Sequence, residues 1–358
     1  MFKNISEGDV YLEPTAEYNY AVPRTAIIPD GNILCCFGRT KGLGINDFTT
    51  MCAYSADGEK WSEATVVWPE YEGKKATVMT PRTMPDGRVS LSGMIFDVEY
   101  DGELWWSNEL GSMKKNKLCW CISPDGRKIP LPYEVELPDA ASCEQPGGML
   151  VRENGEMLIL YSPCATIDPK GPVVTSRQVL MRSRDGGNSF HPQEFGQLEP
   201  PVMYAESWIV ELDADRLLSG TWITGNEPFP DAYFVSSDSG ETFNGPFEMP
   251  FKGQTTSLTP YGDNMVLIPY NQRQHGTVGV WLALVKIEGT GMRLLENQPV
   301  WEAQTTTKKN KSADFVNFTD YAFGEPQVTV MHDGSLLVVF WYDQPYGTGI
   351  HYVKVRKL

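Results

Sequence analysis

Apolar residues along this chain fall in short runs and not in helical stripes. Long i, i+3, i+4 patterns are missing, and ILCCF, VSLSGM, EMLILY, RLLSGTW, NMVLIPY and SLLVVFWY each have the length of a strand. Each run follows a tight-turn signal: Asp30-Gly31, Asp86-Gly87, Asn154-Gly155, Asp213-Ala214-Asp215, Gly262-Asp263-Asn264 and Asp333-Gly334. Six such units, spaced by roughly 50 to 70 residues, predict a radial array of small sheets. The expected fold is all-β, a six-bladed β-propeller of four-stranded antiparallel blades, with residues 1–358 as a single domain. After Glu325 the last unit supplies strands near 326–331, 336–342 and 349–355. Its missing fourth is expected from Val10-Tyr11-Leu12-Glu13, which would close the ring and remove a sheet edge.

Composition narrows the partners. Thirty basic against 46 acidic residues leave a formal net charge of −16. That balance argues against nucleic acid, which calls for a basic face to displace counterions from phosphates, and against docking on anionic membranes. The longest purely apolar run, Leu336 to Tyr342, is far short of the ~20 residues that span a bilayer. The polar N-terminus MFKNISEGDVYLEP contains no apolar signal-peptide core. Seven cysteines without a C-x-x-C pair read as reduced, buried thiols, so a cytoplasmic location is expected. His191, His275, His332 and His351 lack metal-ligand spacing, and no dinucleotide, P-loop or nucleophile-elbow motif is present; neither a metal nor a cofactor is expected.

A second repeat runs in phase with the first. Ser183-Arg184-Asp185-Gly186-Gly187-Asn188-Ser189-Phe190 and Ser236-Ser237-Asp238-Ser239-Gly240-Glu241-Thr242-Phe243 share the pattern S-x-D-x-G-x-[ST]-F. Ser55-Ala56-Asp57-Gly58-Glu59-Lys60-Trp61 is one residue shorter and Ser123-Pro124-Asp125-Gly126 is a worn copy. The four aspartates lie 68, 60 and 53 residues apart, tracking the blades. In such a turn Asp and Ser side chains bond main-chain amides, Gly takes the positive φ and the aromatic packs on the sheet below. The element is expected to be structural.

Candidate chemistry comes from register. In a propeller the inner strands begin at one rim of the central channel, so equivalent positions in different blades converge. Glu325 lies eight residues before Asp333 and Glu206 eight before Ala214, the matching turn position of the fourth unit. Two carboxylates at one register suit glycoside cleavage, where one carboxyl protonates the leaving oxygen and the other is nucleophile or base for water. Arg24 opens the first unit, and Arg39 and Asp47 lie in the loop that follows its second strand. Arg82 stands near the second inner strand, Arg273 in IPYNQRQ, and Trp105-Trp106 in the long insertion EYDGELWWSNELGSMKKNKL, where an indole could stack on a sugar or lie buried.

With its S-x-D-x-G-x-[ST]-F boxes, an arginine before the first apolar strand and E-S-W-I-V-E-L in the fourth unit, the chain resembles the sialidase superfamily. The resemblance implies that Arg24 binds a substrate carboxylate, that Asp47 is the general acid/base and that Glu206 supports the nucleophile. Two positions depart from it. Glu325, in G-E-P-Q-V-T-V-M-H-D-G, stands where sialidases carry a tyrosine nucleophile, with Tyr321 the out-of-register alternative. Trp222-Ile223-Thr224 occupies the place of a second arginine. The expectation is therefore an exo-acting glycoside hydrolase that removes a terminal sugar, acidic sugars included, from an oligosaccharide or glycoside. Asp47, Glu206 and Glu325 are expected to be catalytic, with Arg24, Arg39, Arg82, Arg273 and Tyr321 binding substrate. The alternative is a catalytically silent propeller that binds a glycan or a protein. The sugar, the stereochemical course and the oligomeric state are not legible.

Overall fold

The computed structural model describes residues 1–15, 17–199, 202–224, 231–308 and 315–358. Six antiparallel sheets of the same plan follow one another along the chain, and each runs outward strand by strand from the central axis. The first blade is Asn19–Ile27, Ile33–Thr40, Thr49–Ser55 and Thr65–Val66, and the second Lys75–Thr83, Val89–Asp97, Lys117–Ser123 and Tyr133–Val135. In the third and fifth blades the inner strand is split, into Ser142–Glu144 with Met149–Val151 and into Gln254–Thr256 with Thr259–Pro260. The fourth opens with Met203–Asp213 and the sixth with Phe323–Val330. Inner strands of neighbouring blades touch, so their N-terminal ends gather around one mouth.

The sixth blade takes its outer strand from the N-terminus, as expected, but the strand is longer than Val10 to Glu13: Phe2–Leu12 pairs with Gly347–Lys357. The extra length was hidden because Lys3, Asn4, Ile5 and Glu7 are exposed while Phe2 and Val10 alone carry the strand's buried apolar signal. The seam between first and last blades is also stitched inside. The Gln327 side-chain amide accepts from the Thr25 N–H at 2.5 Å and donates to the Thr25 carbonyl at 3.1 Å.

The core lies between the blades. Leu336, Val338 and Phe340 of the sixth pack on Leu282, Leu284 and Val300 of the fifth, while Leu34 and Cys36 of the first meet Leu91, Cys119 and Cys121 of the second. All seven cysteines are buried and free of disulfides.

The repeated boxes sit between third and fourth strands. Asp185 accepts from the Ser189 N–H at 3.0 Å and its hydroxyl at 2.6 Å, and buried Ser183 donates to Asp185 at 2.8 Å while accepting from the Gly187 N–H at 2.9 Å. Asp238, Thr242, Ser236 and Gly240 repeat each bond within 0.1 Å. Gly187 takes φ +87°, and a Cβ there would lie 2.2 Å from the Trp120 ring, so only glycine fits. Phe243 stacks on Phe195 at 4.1 Å, the aromatic packing that the pattern predicts.

Candidate active site

Three inner strands carry the same irregularity. In the first, fourth and sixth blades two residues oppose one, between Ala21 and Arg24, Ala205 and Trp208, and Gly324 and Gln327. Such a bulge re-aims a side chain at the end of a strand. The first bulged residue is left-handed in all three: Val22 at φ 55°, Glu206 at 54° and Glu325 at 53°. Left-handed backbone is costly for a residue with a Cβ and most of all for β-branched valine, and strain of this kind gathers at functional sites. The eight-residue count therefore picks out a real structural position, held by valine in one blade and by glutamate in two.

Glu206 and Glu325 line one cavity of about 100 Å³ at the channel mouth, and Glu144 joins them from the third blade. The Glu206 N–H donates to a Glu144 carboxylate oxygen at 2.6 Å, and the Val22 N–H donates to Glu325 at 3.0 Å. Two of the three bulges, those of Val22 and Glu206, thus present their amides to the carboxylate of the blade before. Burial pushes the Glu144 carboxyl well above the usual carboxylate range, and the neighbouring charge of Glu206 adds to the push. Glu325 is raised by burial too, but Arg24, the Val22 amide and Arg273 pull against it. Asp231, fully buried nearby, is also held far above its ordinary value by burial and by Glu206, and neither of its carboxylate oxygens has a hydrogen-bond partner among the described residues.

The arginines stand behind these groups. Arg24, 1% exposed, donates from one Nη to the main-chain oxygens of Glu325 at 2.7 Å and Pro23 at 2.9 Å, with its guanidinium 5.3 Å from the Trp208 ring. Arg273 lines the cavity; its Nη atoms donate to Gln254 at 3.0 Å and to the Phe323 carbonyl, and it lies 3.9 Å over the Tyr321 ring. Tyr321 also lines the cavity and is 4% exposed.

The remaining wall is apolar. Leu43 and Phe48 come from the first blade, Met94, Trp105, Trp106 and Met113 from the second and its insertion. Trp105 and Trp106 meet Phe318, from the segment before the sixth blade, at 5.6 and 5.3 Å, and Asn108 donates to Thr319 at 3.0 Å. The insertion and that segment together roof one side of the mouth.

The remaining sequence candidates lie apart. Asp47 and Arg39 line a separate hollow of about 230 Å³ on the other face of the loop whose Leu43 and Phe48 meet the cavity. There Asp47 accepts from the Thr40 hydroxyl and, at 3.1 Å, from the Lys41 N–H, and Arg39 pairs with Glu72 at 2.5 Å. Arg82 sits lower in the channel and donates to the Ile209 carbonyl at 2.8 Å, crossing from second blade to fourth. Trp222, where a second arginine was sought, lines the cavity. Among the described residues no cluster of His, Cys, Asp and Glu is arranged to hold a metal ion, and no helix is long and apolar enough to cross a membrane.

Glu144 escaped the register count because the third inner strand breaks at Gln145-Pro146-Gly147-Gly148. Counting back eight from Asn154 lands on Pro146, which also lines the cavity, two residues past the carboxylate. The signal was the glutamate just ahead of that Pro-Gly-Gly break.

No known family model and no curated protein matches the chain. Solved structures do. A protein of unknown function from Dyadobacter fermentans superposes with a TM-score of 0.77 at 15% identity, covering 100% of this chain and 99% of that one. The Hadza microbial sialidase Hz136 gives 0.70 at 14% identity, over 98% of this chain and 68% of that one. The NanB sialidase from Streptococcus pneumoniae gives 0.67 at 11%, over 97% and 70%. What the chain shares with these structures is the fold, a six-bladed propeller.

Proposed function

We propose that the protein is an exo-acting glycoside hydrolase whose chemistry is done by carboxyl groups at the channel mouth. The observation that carries this reading is the convergence of Glu144, Glu206 and Glu325 on one cavity, where Glu206 adds to the upward push of burial on Glu144 while Arg24, the Val22 amide and Arg273 oppose it on Glu325. A pair of carboxyls whose proton affinities are driven apart is what acid and base roles require.

Glu144, buried and next to a second carboxylate, keeps its proton and serves as the general acid. It gives that proton to the glycosidic oxygen as the bond to the anomeric carbon breaks. Glu325, opposed to the arginines, is the group that ionises; as carboxylate it attacks the anomeric carbon or takes a proton from the attacking water. Glu206 holds Glu144 through its amide and sustains the proton there through its charge. Arg24 from behind the site and Arg273 from its wall balance the negative charge there.

The roofed, small cavity supports exo action, since it admits a chain end and not a chain interior. The sialidase neighbours support glycoside chemistry by fold alone. Incubating purified protein with a panel of 4-nitrophenyl glycosides tests the reading. Release of nitrophenol from one terminal sugar, lost in Glu325→Gln, is expected; no release from any member, with glycan binding intact, would favour a silent binding propeller.

A further inference from the structure

The cavity is divided in composition. Its charged groups come from blades three to six: Glu144, Glu206, Arg273 and Glu325. Blades one and two with the insertion contribute Leu43, Phe48, Met94, Trp105, Trp106 and Met113. The Trp105 indole N–H is used on the Leu43 carbonyl at 2.7 Å and that of Trp106 on Asn108 at 2.9 Å, so neither is left to meet a hydroxyl. A sugar with hydroxyls all round would bury some of them against this half without partners.

The arginines are largely committed to acceptors of the protein itself. Bidentate capture takes two adjacent N–H donors of one guanidinium. The Nε atoms of Arg24 and Arg273 are sealed from solvent. Both N–H groups of one Arg24 Nη are held by main-chain oxygens, and each Nη of Arg273 already spends one of its two N–H groups, on Gln254 and on Phe323. The ionised glutamates of the wall, Glu206 and Glu325, then oppose any anion that enters.

We infer that this cavity takes a neutral sugar with one apolar face, a 6-deoxyhexose whose methyl group lies against Phe48, Met94 and Met113 while its hydroxyls meet the glutamates. The inference rests on the hydrolase reading for the identity of the site, but it concerns recognition and is separable from turnover. A small apolar pocket discriminates against one added hydroxyl by roughly 10²-fold. That factor can be measured on sugars differing only there.

The experiment titrates wild-type protein and Glu325→Gln with free L-rhamnose against L-mannose and L-fucose against L-galactose, and also with glucuronate and N-acetylneuraminate. The readout is the fluorescence of the lining tryptophans, checked by calorimetry. One 6-deoxy sugar is expected to bind about 10²-fold more tightly than its parent hexose, and both acids more weakly still. Met94→Gln, similar in size but polar, is expected to shrink the ratio toward ten. Equal affinity within both pairs, no binding of either deoxy sugar, or preferred binding of an acid would overturn the inference. Tight binding of a deoxy sugar whose glycosides are not cleaved would sustain it and defeat the hydrolase reading alone.

Discussion

The main-chain N–H of Val22 donates to the carboxylate of Glu325 at 3.0 Å, across the seam where the first and last blades meet. Both residues are left-handed, and both head the same bulge in their own blades. Ring closure and the geometry of the candidate site are therefore one arrangement: the amide that orients Glu325 is in place only when blade one abuts blade six.

Arg24 stands at the same seam. Its positive charge opposes the upward push of burial on the Glu325 carboxyl, and its bonds to the Glu325 and Pro23 carbonyls hold the guanidinium in place. Arg24→Met is expected to raise that carboxyl further, moving the acidic limb of the pH–activity profile to higher pH. Losing a fully buried cation from its partners should also cost about 3–5 kcal/mol of stability. An unmoved acidic limb, with the melting point lowered, would assign Arg24 a purely structural part.

Glu144→Gln separates stability from activity. Because burial raises the folded-state value above that of the unfolded chain, the folded form holds its proton while the unfolded chain releases it. Stability is thus lost as pH rises from the ordinary carboxylate range to the folded value, and the loss is constant above it. Glutamine cannot ionise and can still accept the Glu206 amide. The variant should melt like wild type near pH 4 and higher than wild type at neutral pH, while turnover falls by at least ~10²-fold. Melting curves at several pH values check the sign.

The boxes are expected to matter for folding only. Ser183→Ala and Ser236→Ala each remove a buried hydroxyl that serves a glycine amide and a box aspartate. Each should destabilise by ~1–2 kcal/mol, in the range for a buried donor left unsatisfied, with kcat/KM unchanged below the melting transition. A folded variant that has lost activity would contradict this.

Much of this was legible because it is local. Six turn signals and six apolar runs gave the blade number, and the count of eight from each turn found Glu206 and Glu325, since a strand of fixed length separates turn from mouth. What was hidden is what depends on breaks and on partners far away in sequence. Glu144 was missed because Pro146 and two glycines interrupt its strand. Asp47 and Arg39 share a loop with cavity residues, but the loop's two faces look into different hollows, and Arg39 finds Glu72, 33 residues on. No spacing rule reports which face a loop residue takes.

That division yields a prediction for Asp47. It is seated in the neighbouring hollow by Thr40 and Lys41, so Asp47→Asn should change turnover by less than about threefold, an effect far below the ~10²-fold of a positioned acid. A loss of ~10²-fold or more in the folded variant would transfer the acid role from Glu144 to Asp47.

Whether the Glu144 and Glu325 carboxyls gathered at the channel mouth carry the chemistry is tested most directly by kcat/KM of Glu325→Gln. The substrate is whichever glycoside the wild-type protein cleaves fastest. Glutamine keeps the shape and can still accept the Val22 amide, so the melting temperature should be no lower than that of wild type while kcat/KM falls by at least ~10²-fold. A variant that folds and turns over at the wild-type rate would contradict the account.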